Sequence, residues 1–232
     1  MTDVSSTPPA TRRVDPVALL AFAVVALAYG RAIWFTPPEA TQGFAQKILY
    51  VHAPAAWVAF LAFGVTALAG AFWLFLKDQR LDRLAESSAE VGVIFTTAVL
   101  VTGPLWGKPV WGTWWTWDAR LTLTLFLWFI YVGYLVLRGV IPGREQRARY
   151  AAVVGILGAL LIPFIHLSVY LFRTLHPLPV VARPEGPAMP AVMVKTFFLA
   201  FFAFTLLYVA FVRARMALAT ERDALDDAAV GG

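Results

Sequence analysis

Six runs of apolar residues dominate this 232-residue chain: Val17–Phe35, Ala53–Leu76, Val91–Leu105, Leu121–Leu137, Tyr150–Leu171 and Val192–Val212. Each approaches the roughly 20 residues that cross a bilayer. Lipid offers no water to backbone N–H and C=O groups, so every run must be helical. The predicted fold class is all-α: a polytopic membrane protein, a six-transmembrane-helix bundle with short connections. Charged residues make up only 14% of the chain and hydrophobic ones 60%, which excludes an ordinary soluble domain. The predicted organisation is an N-terminal tail 1–16, a membrane domain 17–212 and a C-terminal tail 213–232. Val17–Phe35 has the length of a span rather than the shorter core of a cleaved signal, and reads as a retained helix.

The basic residues give the sidedness. Arg12, Arg13, Lys77, Arg80, Arg83, Arg138, Arg144, Arg147, Arg149, Arg213, Arg215 and Arg222 fall on one side of the predicted bundle. Arg31, Lys47, Lys108, Arg120, Arg173, Arg183 and Lys195 fall on the other. Twelve against seven predicts that the first side is cytoplasmic and that both termini lie there, in a bacterial cytoplasmic membrane. The net charge of +5 is a topology signal of this kind and not a nucleic-acid surface. The outer loops are then Thr36–His52, Trp106–Arg120 and Phe172–Ala191, rich in Pro, Gly and aromatics. Function is expected to face outward.

Five of the nine tryptophans lie within twelve residues of the second outer loop: Trp106, Trp111, Trp114, Trp115 and Trp117. Asp118 and Arg120 follow at once. Tryptophan also anchors proteins at membrane interfaces, and Trp34 and Trp73 read as such belt residues. A belt, however, is spread over many helices and both faces, whereas this cluster sits in one loop. The stretch is either a loop or a short interfacial helix. If Val110–Ala119 is helical, Trp111, Trp114, Trp115 and Asp118 share one face. Flat indoles at a membrane surface suit a large planar apolar ligand with a charged edge, and haem fits that description. Lys108, Arg120 and Arg173 are candidates for its carboxylates. Asp118 is expected to position Arg120, a loop amide or a histidine N–H.

Only three histidines are present, His52, His176 and His166. His52 and His176 lie at matching depth on either side of the Trp-rich loop and make the better axial pair for an iron. Their alternative role is hydrogen bonding at the interface. His166, ten residues before His176, lies inside the fifth span after a Pro163 expected to kink it. On a continuous helix the two would be about 15 Å and 80° apart. His166 is therefore expected to pair with a backbone or hydroxyl group inside the bundle. There is no cysteine, which removes disulfides, iron–sulfur clusters and thioether attachment of a cofactor. No Gly-rich phosphate loop or zinc-spaced His-Glu pair is present, and no enzyme chemistry is expected.

Trp111-Gly112-Thr113-Trp114-Trp115-Thr116-Trp117-Asp118 resembles the signature of the WWD-motif haem-handling membrane proteins of cytochrome c maturation. Within that group the chain is similar to the CcmC family. The similarity extends through Tyr50-Val51-His52-Ala53-Pro54-Ala55-Ala56-Trp57, Gly107-Lys108-Pro109, His166-Leu167-Ser168-Val169 and Thr174-Leu175-His176. The resemblance implies transient, non-covalent binding of haem b on the outer face and its delivery to the membrane-tethered haem chaperone CcmE. It also implies partners in an ABC-type complex: an ATPase (CcmA), a second membrane subunit (CcmB) and a small CcmD-like subunit. Carried over by position, His52 and His176 are the axial ligands. Trp111, Trp114, Trp115, Trp117, Asp118 and Arg120 then belong to the haem platform and chaperone contact. Two departures touch the third outer loop: Tyr170-Leu171-Phe172 stands where relatives often have an acid and two tryptophans, and Pro177 follows His176. From the residues alone, a membrane b-type cytochrome and a small-solute transporter subunit are the rival readings.

Overall fold

The computed structural model describes residues 15–231. Arg12 and Arg13, and most of the expected N-terminal tail, lie outside the described residues. Helix α1 (Pro16–Gly30) starts on the side chain of Asp15, which accepts from the Val17 N–H at 2.9 Å, and ends in a π-helical turn, Arg31–Phe35. A 3-10 turn, Phe44–Ile48, leads into α2 (Leu49–Leu76). Then come α3 (Gln79–Trp111), α4 (Ala119–Val140), α5 (Arg144–Ala159), α6 (Leu161–Leu171) and α7 (Ala191–Gly231). Among the described residues six helical stretches are long and apolar enough to cross a membrane, α5 and α6 together forming one of them. The all-α six-span fold is as the sequence predicts.

Several boundaries differ, each for a physical reason. The third span begins at Gln79, twelve residues before its apolar run, because polar side chains there find partners inside the protein. Ser88 Oγ bonds the Ala62 carbonyl and the Tyr208 hydroxyl, each at 2.8 Å, while Asp82 and Glu86 meet Arg138. Hydropathy reads such residues as a loop; pairing makes them helix. The connection between the runs ending at Leu76 and beginning at Val91 therefore shrinks to Lys77 and Asp78. The second span starts four residues earlier than its run, so Pro54 lies beyond the first turn and frees the Tyr50 carbonyl from its helical bond. Trp73, expected at the interface, is 1% exposed beneath the Lys77 ammonium, whereas Trp34 is exposed. The helix α7 continues through residues 213–231, and Arg215, Arg222 and Asp223 there pair with side chains of α3.

The kink before α6 is present. The helix breaks at Leu160, where the Pro163 ring excludes the preceding-turn carbonyl of Ala159. Inward of the break α5 lies tight on α2, and a Cβ built on Gly70 would stand 3.1 Å from the Ala152 backbone. Phe63 of α2 stacks on Tyr131 of α4 at 3.7 Å, and the Tyr131 hydroxyl donates to the Gly155 carbonyl at 2.8 Å. This layer fills the middle of the bundle.

Among the described residues, the basic side chains grouped by sequence gather at the end that holds the 76–79 and 140–144 connections. Arg138 binds Asp82 through two parallel bonds of 2.7 and 2.9 Å and Glu86 through a third of 3.0 Å. Arg222 holds Glu86 from the other side at 2.8 Å, Arg83 meets Asp223 at 3.1 Å, and Arg215 pairs with Glu90. Arg138, Asp82 and Glu86 are all buried. The Trp-rich loop and the third outer loop lie at the opposite end.

Candidate functional site

Between the outer halves of α2, α3, α4, α6 and α7 lies a cavity of about 850 Å³. The chain reaches it by a sharp turn after α3. Gly112 takes φ +77°, a left-handed conformation that side chains disfavour, and its N–H closes the helix on the Lys108 carbonyl at 3.0 Å. The following residues are a non-helical loop, so the condition for Trp111, Trp114, Trp115 and Asp118 to share a helical face is not met. The third outer loop folds over the cavity from the other side and brings His176 to it.

Asp118 is the residue that ends the loop. Its Oδ1 accepts from the Leu121 N–H at 3.1 Å, capping α4, and its Oδ2 accepts from the Thr116 hydroxyl at 3.0 Å. Of the three partners expected for this carboxylate, Arg120, a loop amide or a histidine N–H, none is hydrogen-bonded to it among the described residues; it caps α4 and holds the Thr116 hydroxyl instead. Arg120, one residue into α4, lines the cavity, and its guanidinium makes no hydrogen bond among the described residues. Lys108 is turned to the Gly112 carbonyl at 3.1 Å, and neither it nor Arg173 lines the cavity. Arg120 is thus the cavity's cation.

Both outer histidines line the cavity, and both hold their rings the same way. His52 Nδ1 lies 2.9 Å from Thr102 Oγ1, and that hydroxyl donates to the Ala98 carbonyl at 2.7 Å. A hydroxyl with its one proton engaged can only accept, so His52 carries its proton on Nδ1. Gly103 makes room for this ring: a Cβ there would meet His52 Cε1 at 3.4 Å. His176 Nδ1 lies 3.0 Å from the Pro177 carbonyl, an obligate acceptor, so it too is an Nδ1–H donor. In each imidazole the Nε2 lone pair is left free, the tautomer a metal requires. Burial, with a smaller effect of the Arg120 charge, lowers the His176 pKa to about 4; the Pro177 bond and the Asp118 charge oppose them. His176 is neutral at pH 7.

Trp106, Trp111, Trp114 and Trp115 line the cavity. Trp117 does not; it is 76% exposed and meets Trp115 edge-on at 5.7 Å. Trp106, which the sequence gives no special place within the cluster, is held by its N–H on Gln42 Oε1 at 2.9 Å and stands edge-on to the His52 ring at 5.9 Å. Its signal was helical spacing from Thr102 and Gly103, the residues that seat His52. The Trp115 Nε1 and Gln46 Oε1 atoms are buried without a partner among the described residues, and both residues line the cavity. Such groups call for a polar partner.

His166 departs from expectation. It has no hydrogen bond among the described residues, is exposed, and lines the same cavity. The helical separation reckoned between it and His176 does not apply, because α6 ends at Leu171 and His176 belongs to the loop.

A bundle that seals one end with ion pairs and opens the other into an aromatic chamber is a membrane protein built to hold a ligand at its surface. The chamber lies within the range of about 300–1,000 Å³ usual for small-molecule pockets. Comparison with known proteins gives the family. The chain matches heme exporter protein C (CcmC) over residues 5–229, and it belongs to that family. Heme exporter protein C of Haemophilus influenzae is 36% identical over 208 residues, covering 88% of this chain and 85% of the relative. That of Bradyrhizobium diazoefficiens is 37% identical over 200 residues, covering 86% and 76%. That of Escherichia coli K12 is 40% identical over 151 residues, covering 62% and 60%. The chain therefore handles haem for cytochrome c maturation as a multi-pass membrane component of haem export, and is not an enzyme.

Proposed function

We propose that the outer chamber binds haem b without a covalent bond, His52 and His176 supplying the two axial ligands through Nε2. The observation that carries this reading is the shared tautomer: two cavity imidazoles each spend the Nδ1 proton on a fixed acceptor. Trp106, Trp111, Trp114 and Trp115 supply aromatic walls, and Arg120 supplies the charge for a propionate. Asp118 fixes the turn that carries them. The exposed Trp117 faces away from the chamber and suits contact with a partner that takes the haem away. That partner is a chaperone of the CcmE kind, and the chain works within an ABC-type complex with CcmA, CcmB and CcmD-like subunits.

The walls and the partner contact separate by mutation. Trp115→Ala is expected to lower haem retained by the purified chain about tenfold, the loss of one large aromatic contact. Trp117→Ala is expected to leave retention unchanged and to slow transfer to the chaperone. Pigment content at matched protein levels and a transfer assay read the two; equal loss of retention from both would contradict the division.

The pH response has a definite sign. A free imidazole takes up a proton near 6.5, whereas His176 does so near 4 in the fold. Between those values the unfolded chain binds the extra proton, so the fold loses stability as the pH falls through this window. Iron competes with the proton for Nε2, so axial ligation through His176 is expected to hold across the neutral range and to fail only below the metal-free value of about 4. A spectral midpoint near 6.5 would contradict the half-buried, neutral imidazole.

The chamber end faces away from the cytoplasm, and both termini lie inside. With no native cysteine in the chain, single cysteines at the exposed positions Thr41 and Glu185 should react with an impermeant thiol reagent from outside intact cells. One at Pro142 should not. Labelling at Pro142 with Thr41 and Glu185 silent would reverse the orientation.

A further inference from the structure

The chamber is open on one side as well as at its mouth. Inward of the break at Leu160, α5 packs closely on α2; outward of it, α6 leans on α4 and leaves α2. α7 stays on α2, where the Trp57 Nε1 donates to Thr205 Oγ1 at 3.2 Å. A seam therefore separates α6 from the α2–α7 pair in the outer half of the bundle. The chamber reaches deeper than the axial histidines require: Ala59 and Phe60 line it, about 10 Å inward of His52 along α2.

The seam's lips are apolar. Trp57 and Phe198 line the chamber and are 45% and 56% exposed. On α6, Ile165 and Ser168 are buried, Val169 and His166 line the chamber, and Phe164, Leu167 and Leu171 are exposed on the lipid side. At about 100° per residue, His166 falls at the boundary between the chamber face and the lipid face, next to exposed Tyr170. An imidazole without a partner is costly beside lipid and has few structural uses there.

Resting on the haem reading above, we propose that haem reaches the chamber sideways from the outer leaflet, through the seam between α6 and the α2–α7 pair. His166 on its lip is the imidazole that receives the iron first. The ring system of haem slides between apolar side chains while its carboxylates stay at headgroup depth, where Arg120 waits. His166 then gives up the iron to His52 and His176: one of these replaces the His166 nitrogen, and the other fills the opposite axial position, displacing any water held there, with no change in oxidation state.

The test closes the seam after folding. Tyr170→Cys and Phe198→Cys, introduced together into the cysteine-free chain, are coupled by a reducible bis-maleimide linker. The apo-protein is reconstituted in phosphatidylcholine–phosphatidylglycerol vesicles, and haem is supplied in the lipid. Coupling is expected to slow haem uptake by about tenfold or more relative to the same protein before coupling, and reduction to restore it. Haem loaded before coupling should keep its axial spectrum. His166→Ala should slow uptake similarly and reach the parent's final spectrum. Uptake unaffected by coupling would overturn the side route, and uptake unaffected by His166→Ala would overturn the role of that residue. A parent chain that takes up no haem at all would instead overturn the haem reading itself, and the route with it.

Discussion

His52→Ala and His176→Ala should each lower haem affinity by at least about a hundredfold. Loss of a residue that merely orients a metal ligand costs about 10–100-fold, and loss of the ligand itself exceeds that. The double variant should be little worse than the more damaging single, because both groups act on one iron. Thr102→Val is a graded companion. It removes the acceptor that fixes the His52 proton on Nδ1, so the ring loses its bias toward a free Nε2, and affinity should fall less than in His52→Ala. Haem titration of purified apo-protein measures all four. Independent, additive losses from the two histidines would mean that they serve separate sites.

Arg138→Met should destabilise the fold by about 3–5 kcal/mol, the usual cost of breaking a buried ion pair from one side. Asp82 loses both of its bonds and Glu86 one of two cationic partners. In detergent this corresponds to a drop in unfolding temperature on the order of 10 °C. The haem spectrum below that temperature should not change, since the cluster closes the end opposite to the chamber. Adding Asp82→Asn should recover part of the loss by removing the stranded charge. An unfolding temperature within a degree or two of the parent would show that water reaches these carboxylates.

Most of the architecture could be read from the chain because lipid leaves so few choices. Twenty apolar residues in a row must be a helix, and six such runs must be a bundle. What hydropathy missed was polar helix: Asp82, Glu86 and Ser88 look like a loop until their partners, far away in sequence, are known. The same blindness put Trp73 at the interface, since a tryptophan four residues before a lysine fits a belt as well as it fits a buried ring under an ammonium. The site was legible in its residue types, with His52, His176, Trp115 and Arg120 all at one chamber. Its division of labour was not. Trp106 faces inward because its spacing along α3 sets it beside Thr102 and Gly103, and Trp117 faces out because the non-helical loop after Gly112 turns it away. His166 was misread because a helix continuous to His176 was assumed, and Leu171 ends it.

The central claim is that one iron sits between His52 and His176 at the outer end of the bundle. Low-temperature electron paramagnetic resonance of the ferric haem complex, on the parent chain and on His52→Ala, His176→Ala and His166→Ala, tests it most directly. The parent and His166→Ala should both give the low-spin signal of two imidazole ligands, and His52→Ala and His176→Ala should each lose it. A low-spin signal that survives His176→Ala and vanishes in His166→Ala would place the iron deeper in the membrane and contradict the account.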